Sequence, residues 1–215
     1  PIVDYAISNG FQLEELIKAA ESHPGFKYSP KRIPEFTLVG HNDYIRVGNY
    51  NLHCILTPGH TEGHLCLYEE DKQIFFSGDH VLYDITPHIE SWSPHINALK
   101  DYLESLDKVK DLPVDIVLPG HRHFFTDLKS RVEEIKKHHE ARALEVLEVL
   151  GTNTLNAYHI ASKMTWDIDC ETWEEFPPAQ KWFAVGEAIA HLQYLENASK
   201  VKRYITGKHI VFSAR

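Results

Sequence analysis

The eight residues at positions 57–64, Thr-Pro-Gly-His-Thr-Glu-Gly-His, decide how this sequence folds. They follow an apolar run at 52–56 that predicts a strand, so His60 stands in a tight turn at a strand end. Gly59 allows the backbone to turn sharply and to approach an ion held by the histidine. A histidine after Pro-Gly is more often part of an ordinary turn than a ligand, so this stretch alone does not establish a metal site.

Two further stretches repeat the same arrangement of a strand, a turn and a ligand-type side chain. Residues 75–80, Phe-Phe-Ser-Gly-Asp-His, present Asp79, and residues 117–121, Val-Leu-Pro-Gly-His, present His121. We expect three neighbouring strand ends to bring these groups to one rim of a sheet. Imidazole nitrogen and carboxylate oxygen together suit Zn, Fe or Mn. His60, Asp79 and His121 are therefore the candidate metal ligands.

In this order and strand context, the three stretches resemble the later motifs of the metallo-β-lactamase superfamily, particularly its glyoxalase-II-like hydrolases. The resemblance implies that His60 binds a first metal, Asp79 bridges two metals and His121 binds the second. It implies two Zn²⁺ per intact site, with Fe or Mn as alternatives. Asp79 would be the catalytic residue that fixes both ions, and hydroxide on the di-metal centre would attack an ester, thioester, lactone or related small substrate.

One motif of that superfamily is missing from the sequence. His-x-His-x-Asp-His, which supplies further ligands, would lie upstream of position 57, but the histidines there are the isolated His23, His41 and His53. We therefore expect the chain to be a truncated form that lacks the N-terminal part of its hydrolase domain. Its metal site would be partial or empty, and the chain would be weak or inactive alone.

Three other histidines lie beside the candidate ligands. His64, four residues after His60, is expected to hydrogen-bond the turn and orient it rather than to bind metal. His80 follows Asp79 directly, and a structural contact is the favoured interpretation. His123 forms the only His-x-His pair of the sequence with His121, and a metal contact there stays open.

The pattern of apolar residues predicts a layered α/β fold for residues 1–127, and the resemblance implies that they are the C-terminal part of a metallo-β-lactamase αββα sandwich. The expected elements are a helix at 12–21, a loop at 24–34, hairpin strands at 44–47, 52–56, 65–68 and 74–76, a helix from Pro94 capped by Ser93, and a strand at 114–118. Residues 128–215 would form a long helix and a small α+β winged-helix-like domain. Its expected elements are helices at 128–150, from Thr154 to Ser162 and from Pro177 or Pro178 to Asn197, then strands at 201–205 and 210–212 around Gly207.

The charge distribution disfavours nucleic acid as a partner. The chain has 22 basic and 31 acidic residues, a net charge of −9, and no basic patch. A rival interpretation is a non-catalytic binding protein that uses the winged-helix domain for protein or DNA contact, but residues 151–215 carry no net charge. An iron-containing relative with the same ligands is a third alternative.

The cysteine count and the length of the apolar runs indicate the compartment and the partners of the protein. Three cysteines without Cys-x-x-Cys spacing predict a reducing, cytoplasmic environment. No apolar run approaches the roughly 20 residues of a membrane span, so we expect no membrane partner. A small molecule is the expected substrate, and a homodimer that covers an exposed sheet edge is a further expectation.

Overall fold

The computed structural model of the chain describes residues 2–23, 25, 28, 32 and 35–215. The chain divides into two compact units. The sheet unit comprises Glu35–Ile89 and Ala98–Glu140, and the helical unit comprises Pro1–Pro34, Glu90–Asn97 and Ala141–Arg215. These units are groups of mutual contacts, and the domain ranges 1–127 and 128–215 expected from the sequence stay a prediction.

The sheet unit contains five strands that neighbour each other in chain order. The strands are β1 Tyr44–Val47, β2 Tyr50–Leu56, β3 Leu65–Glu69, β4 Ile74–Gly78 and β5 Ile116–Pro119. The first four pair antiparallel as the predicted hairpins, and β4 pairs parallel with β5 after a crossover that contains helix α3, Ala98–Val109. The turns after β2, β4 and β5 carry the three candidate ligands.

One face of this sheet is buried by the alternation of side chains along its strands. Tyr68, Phe75 and Val117 are in cross-strand register and are almost completely buried. Their neighbours Leu67 and Phe76 point to the opposite face and are half-buried. Helix α3 and the first part of α4, Leu128–Leu150, contribute further fully buried residues: Leu99, Tyr102, Leu106, Val132 and Ile135.

In the part that the structure describes, the helical unit packs five helical segments with a small sheet. It contains α1 Ile2–Ser8, α2 Leu13–Ser22, residues 141–150 of α4, β6 Thr154–Leu155, α5 Ala157–Ala161, α6 Pro178–Asn197, β7 Val201–Thr206 and β8 His209–Ala214. The strand order is β6-β8-β7, and both pairings are antiparallel. Its core includes Phe11, Ile160, Ile189 and Phe212.

Several local predictions differ from the structure. Thr154 does not cap a helix: it lies in β6, and Asn156 caps α5 by accepting a hydrogen bond from the His159 amide at 2.9 Å. Helix α3 begins at Ala98 rather than at Pro94. The loop expected at 24–34 lies largely outside the described residues.

The main elements agree with the expected fold class. The five-stranded sheet and its helices form a mixed α/β fold, and α2, α4 and α6 lie where the sequence predicted helices. Among the described residues, no helix combines the length and the hydrophobicity that crossing a membrane would require.

Candidate metal centre

Asp79 lies between the two candidate histidine ligands. Its Oδ2 atom is 3.8 Å from Nε2 of His60, and its Oδ1 atom is 3.5 Å from Nε2 of His121. The two carboxylate oxygens thus face different imidazoles. The structure brings together the three residues that the sequence singled out, and their roles as ligands stay a prediction.

The imidazole of His60 is fixed in one tautomer by a backbone carbonyl. Nδ1 of His60 is 2.8 Å from the carbonyl oxygen of His88, and because a carbonyl can only accept, Nδ1 carries the proton and donates it. In the neutral ring, Nε2 then presents its lone pair towards Asp79. Histidines that bind metals commonly have their other ring nitrogen hydrogen-bonded in this way.

The electron-rich atoms around Asp79 fit a cation. A lone pair on Nε2 of His60 faces a carboxylate oxygen, and Oδ1 of Asp79 is buried and has no hydrogen-bond partner among the described residues. Two ligand atoms about 2.0–2.1 Å from a tetrahedral zinc stand roughly 3.3 Å apart, close to the separations observed here. A divalent ion between Asp79 and either histidine would attract both electron-rich atoms, which otherwise repel each other, so the donor set fits zinc.

The same geometry indicates two gaps rather than one. Within the part of the chain that the structure describes, no group of three histidine, cysteine or carboxylate side chains converges on a single point suited to a metal ion. Each oxygen of Asp79 instead forms a pair with one histidine. Asp79 and either histidine would supply two donors to a metal ion, which would need further donors to complete its coordination.

His64 connects the first turn to the second. Its Nδ1 is 2.8 Å from Oγ1 of Thr57, and its Nε2 accepts a hydrogen bond from the Asp79 amide at 3.2 Å. Burial lowers the pKa of His64, and the nearby His60 lowers it further, which keeps the ring neutral and Nε2 able to accept. Its observed contacts are those of a residue that orients the turns.

The other two histidines lie outside the group around Asp79. His80 is fully buried, its ring lies against the rings of His64 and Tyr102, and burial lowers its pKa to about 3. It therefore belongs to the core of the sheet unit. His123 is exposed on the segment that follows β5.

Helix α3 holds the turns that carry His60 and Asp79 through backbone carbonyls, a feature that was not predicted from the sequence. Three side chains spaced three residues apart lie on one helix face and donate to these carbonyls. The donors and acceptors are Tyr102 to the carbonyl of His80 at 2.7 Å, Ser105 to that of Pro58 at 2.9 Å, and Lys108 to that of Leu56 at 2.8 Å. The helical spacing was visible in the sequence, but the identity of the carbonyls was not.

Glycine at position 120 allows the third turn to approach Asp79. A Cβ atom on Gly120 would lie 2.6 Å from Oδ1 of Asp79, and the Gly120 amide donates to the carbonyl of Gly78 at 2.8 Å. Any side chain at position 120 would therefore displace the carboxylate. His121 follows directly, and its side chain is 67% exposed, so this edge of the group is open to solvent.

Comparison with known proteins shows which family this chain resembles. Residues 18–121 match the model of the family described as the metallo-beta-lactamase superfamily, and this range contains all three candidate ligands. A solved beta-lactamase domain protein from Burkholderia ambifaria superposes with a TM-score of 0.85 at 25% identity and covers 99% of this chain. Over residues 18–121, just under half of its length, the chain is therefore similar to the metallo-β-lactamase superfamily.

Two curated proteins are similar to this chain over shorter stretches. The beta-lactamase-like protein 2 homolog of Caenorhabditis elegans is 32% identical over 118 residues, which is 55% of this chain. Human acyl-coenzyme A thioesterase MBLAC2 is 36% identical over 87 residues, which is 39% of this chain. The aligned stretches cover 38% and 30% of these two relatives, and this chain covers 61% of the solved Burkholderia chain.

Proposed function

We propose that this chain supplies part of the metal centre of a hydrolase that cleaves small acyl thioesters or related esters, with His60, Asp79 and His121 as metal ligands. The observation that carries the proposal is the position of Asp79, whose two oxygens face Nε2 of His60 and Nε2 of His121 at 3.8 and 3.5 Å. The motifs resemble those of glyoxalase-II-like hydrolases, and this resemblance supports a thioester or ester as the substrate.

The residues of the site have separable tasks in this proposal. Bound zinc supplies the Lewis acidity that activates water and polarises a carbonyl. Asp79 offers one oxygen to each side, His60 offers Nε2 because its Nδ1–H is held by the His88 carbonyl, and His121 offers Nε2 at the exposed edge. That exposed edge is where a substrate carbonyl would approach.

The relatives support the choice of a thioester. The human relative is an acyl-coenzyme A thioesterase by name, and it is 36% identical to this chain over 87 residues. We extend the proposal to the C-terminal part, where the order α4, β6, α5, α6, β7 and β8 supports a winged-helix-like domain. This module would serve packing or dimerisation rather than binding of DNA, because residues 151–215 carry no net charge.

Zinc titration of the purified chain tests the ligand assignment. We expect at most one ion per chain, bound weakly, and affinity reduced at least about 10-fold in Asp79→Asn, since loss of the carboxylate charge removes the shared donor. Asp84→Asn is the matched control, because it makes the same change at an exposed position five residues later. Zinc affinity unchanged by Asp79→Asn, or two ions bound per chain with efficient turnover, would contradict the proposal.

Hydrolysis of an acyl-coenzyme A, followed by release of its free thiol, tests the reaction class. We expect slow cleavage that depends on zinc and is lost in Asp79→Asn but kept in Asp84→Asn. An oxygen ester with the same acyl group should be cleaved more slowly, since a thiolate leaves more readily than an alkoxide. Thiol release at the same rate in Asp79→Asn, or after treatment with a chelator, would exclude this site as its source.

A further inference from the structure

The loop at residues 79–88, called the ligand loop below, reaches the metal centre at both ends. It begins with Asp79, whose carboxylate lies between the two histidines, and ends with His88, whose carbonyl accepts the Nδ1–H of His60. The position of one ligand and the tautomer of another therefore depend on this one loop.

Only part of the ligand loop is held by burial. Val81 and Leu82 are buried, and the Val81 carbonyl accepts a hydrogen bond from Oγ of Ser77 at 2.7 Å. The middle of the loop is exposed: Tyr83 is 48% exposed and Ile85 is 37% exposed. Apolar packing therefore anchors the start of the loop, and Pro87 is buried next to His88 at its end, so residues 83–86 are left to other contacts.

Arg131 on α4 spans that exposed middle. Its Nε donates to the carbonyl of Leu82 at 2.7 Å, and its Nη2 donates to the carbonyl of Ile85 at 2.9 Å. Its Nη1 donates to Glu134 at 2.8 Å, and the Arg131 side chain is only 14% exposed. A planar guanidinium with donors in fixed directions can hold two carbonyls three residues apart, which a flexible ammonium group does less well.

We propose that Arg131 is a positioning residue of the metal centre, acting through the ligand loop to keep the His88 carbonyl on Nδ1 of His60. This inference rests on the proposed function, because positioning His60 matters only if His60 binds a metal; the hydrogen bonds of Arg131 themselves do not depend on that function. Without the two hydrogen bonds, the segment between Leu82 and His88 loses its charged donors, and the carbonyl no longer selects the tautomer of His60. The fraction of His60 that presents Nε2 to an ion then falls.

The tautomer of His60 can be measured without any metal. Long-range ¹H–¹⁵N spectra of the metal-free chain, labelled at histidine, distinguish Nδ1–H from Nε2–H rings at a pH where histidine is neutral. We expect the Nδ1–H form in the unmodified chain and a shift towards Nε2–H in Arg131→Ala. A His60→Gln chain assigns the resonance. An unchanged His60 tautomer in a folded Arg131→Ala chain would overturn the proposal.

Two controls separate positioning from general stability. Glu134→Gln removes the ion pair of Arg131 and leaves both carbonyl contacts, and Lys136→Ala removes a cationic side chain of α4 that binds Asp107. Both should keep the His60 tautomer. If Arg131→Ala does not fold, Arg131→Lys decides: it keeps the charge but not the planar fork, and a wild-type tautomer there overturns the proposal.

Zinc titration of the same variants adds the functional readout. Arg131→Ala should weaken zinc binding about 10-fold or more, the usual effect of losing a group that orients a ligand, whereas both controls should bind as the unmodified chain does. The two proposals fail separately. If the chain binds no zinc but the tautomer shifts, the proposed function fails and the role of Arg131 stands; if zinc binds and neither tautomer nor affinity responds to Arg131, the positioning role fails alone.

Discussion

Replacing Gly59 by alanine should distort the first ligand turn more than any other single methyl group in that motif. The backbone at Gly59 has a φ of +141°, and an added Cβ would lie 2.4 Å from Cβ and 2.5 Å from Cα of Tyr102. Tyr102 is fully buried on α3, so neither atom can move aside. Carbon atoms prefer separations of about 3.5 Å or more, so the turn must shift by about 1 Å.

The structure gives the size of the effect and its control. A strained φ and an overpacked contact each cost about 1–3 kcal/mol, so the free energy of unfolding should fall by about 2–6 kcal/mol. In urea this corresponds to a midpoint lower by about 1–3 M at a slope of roughly 2 kcal/mol/M. Zinc affinity should also fall, because a shift of about 1 Å exceeds the ±0.2 Å tolerance of a metal site. Gly63→Ala, four residues later, meets nothing within 4 Å and should be neutral. Equal urea midpoints for the two variants would refute this reasoning.

Two further predictions concern groups away from the ligands. Burial raises the pKa of the Cys66 thiol from 9.0 to about 12. The neutral thiol is therefore fully retained in the folded and unfolded chains below pH 9, and the unfolded chain loses its proton first as the pH rises. The free energy of unfolding falls between pH 9 and 12, by up to about 1.4 kcal/mol per pH unit. Urea titrations between pH 8 and 11 should show a flatter decline in Cys66→Ala, and identical slopes would exclude the thiol as the cause. Asn156→Ala should lower the free energy of unfolding by about 1 kcal/mol because the His159 amide loses its cap, whereas Thr154→Ala should change it by less than about 0.5 kcal/mol. The reverse order, measured by thermal unfolding, would restore Thr154 as the cap.

The sequence predicts those parts of the fold that local chemistry determines. Helix α4 runs over Leu128–Leu150 as expected, since its apolar spacing persists to Gly151, which adopts a positive φ of 48°. The cap of α5 could not be decided in this way, because Thr154 and Asn156 are both good capping residues two positions apart. The pairing of β6 with β8 settles it, and that partner lies almost 60 residues away in the chain.

The candidate site likewise contains residues that the local sequence predicts and residues that it does not. His60, Asp79 and His121 were predicted because each ends a strand in a Gly-containing turn, which is visible within a few residues. Arg131 was not predicted, because its side chain hydrogen-bonds to carbonyls at positions 82 and 85. Its spacing to Glu134 is that of an ordinary ion pair on a solvated helix face. Backbone carbonyls leave no mark on the sequence, so residues that act through them escape prediction from motifs.

The supports of the site explain how Asp79 can keep its position beside two electron-rich imidazoles. Neither His60 nor His121 hydrogen-bonds the carboxylate closely, at 3.8 and 3.5 Å, so the attraction that holds it must come from elsewhere. The Asp79 amide is held by His64, the next carbonyl along the chain is held by Tyr102, and the middle of the ligand loop is held by Arg131. Because these contacts bind backbone rather than ligand atoms, the donor atoms stay available, and an ion would bind to a largely preformed arrangement without the cost of ordering it.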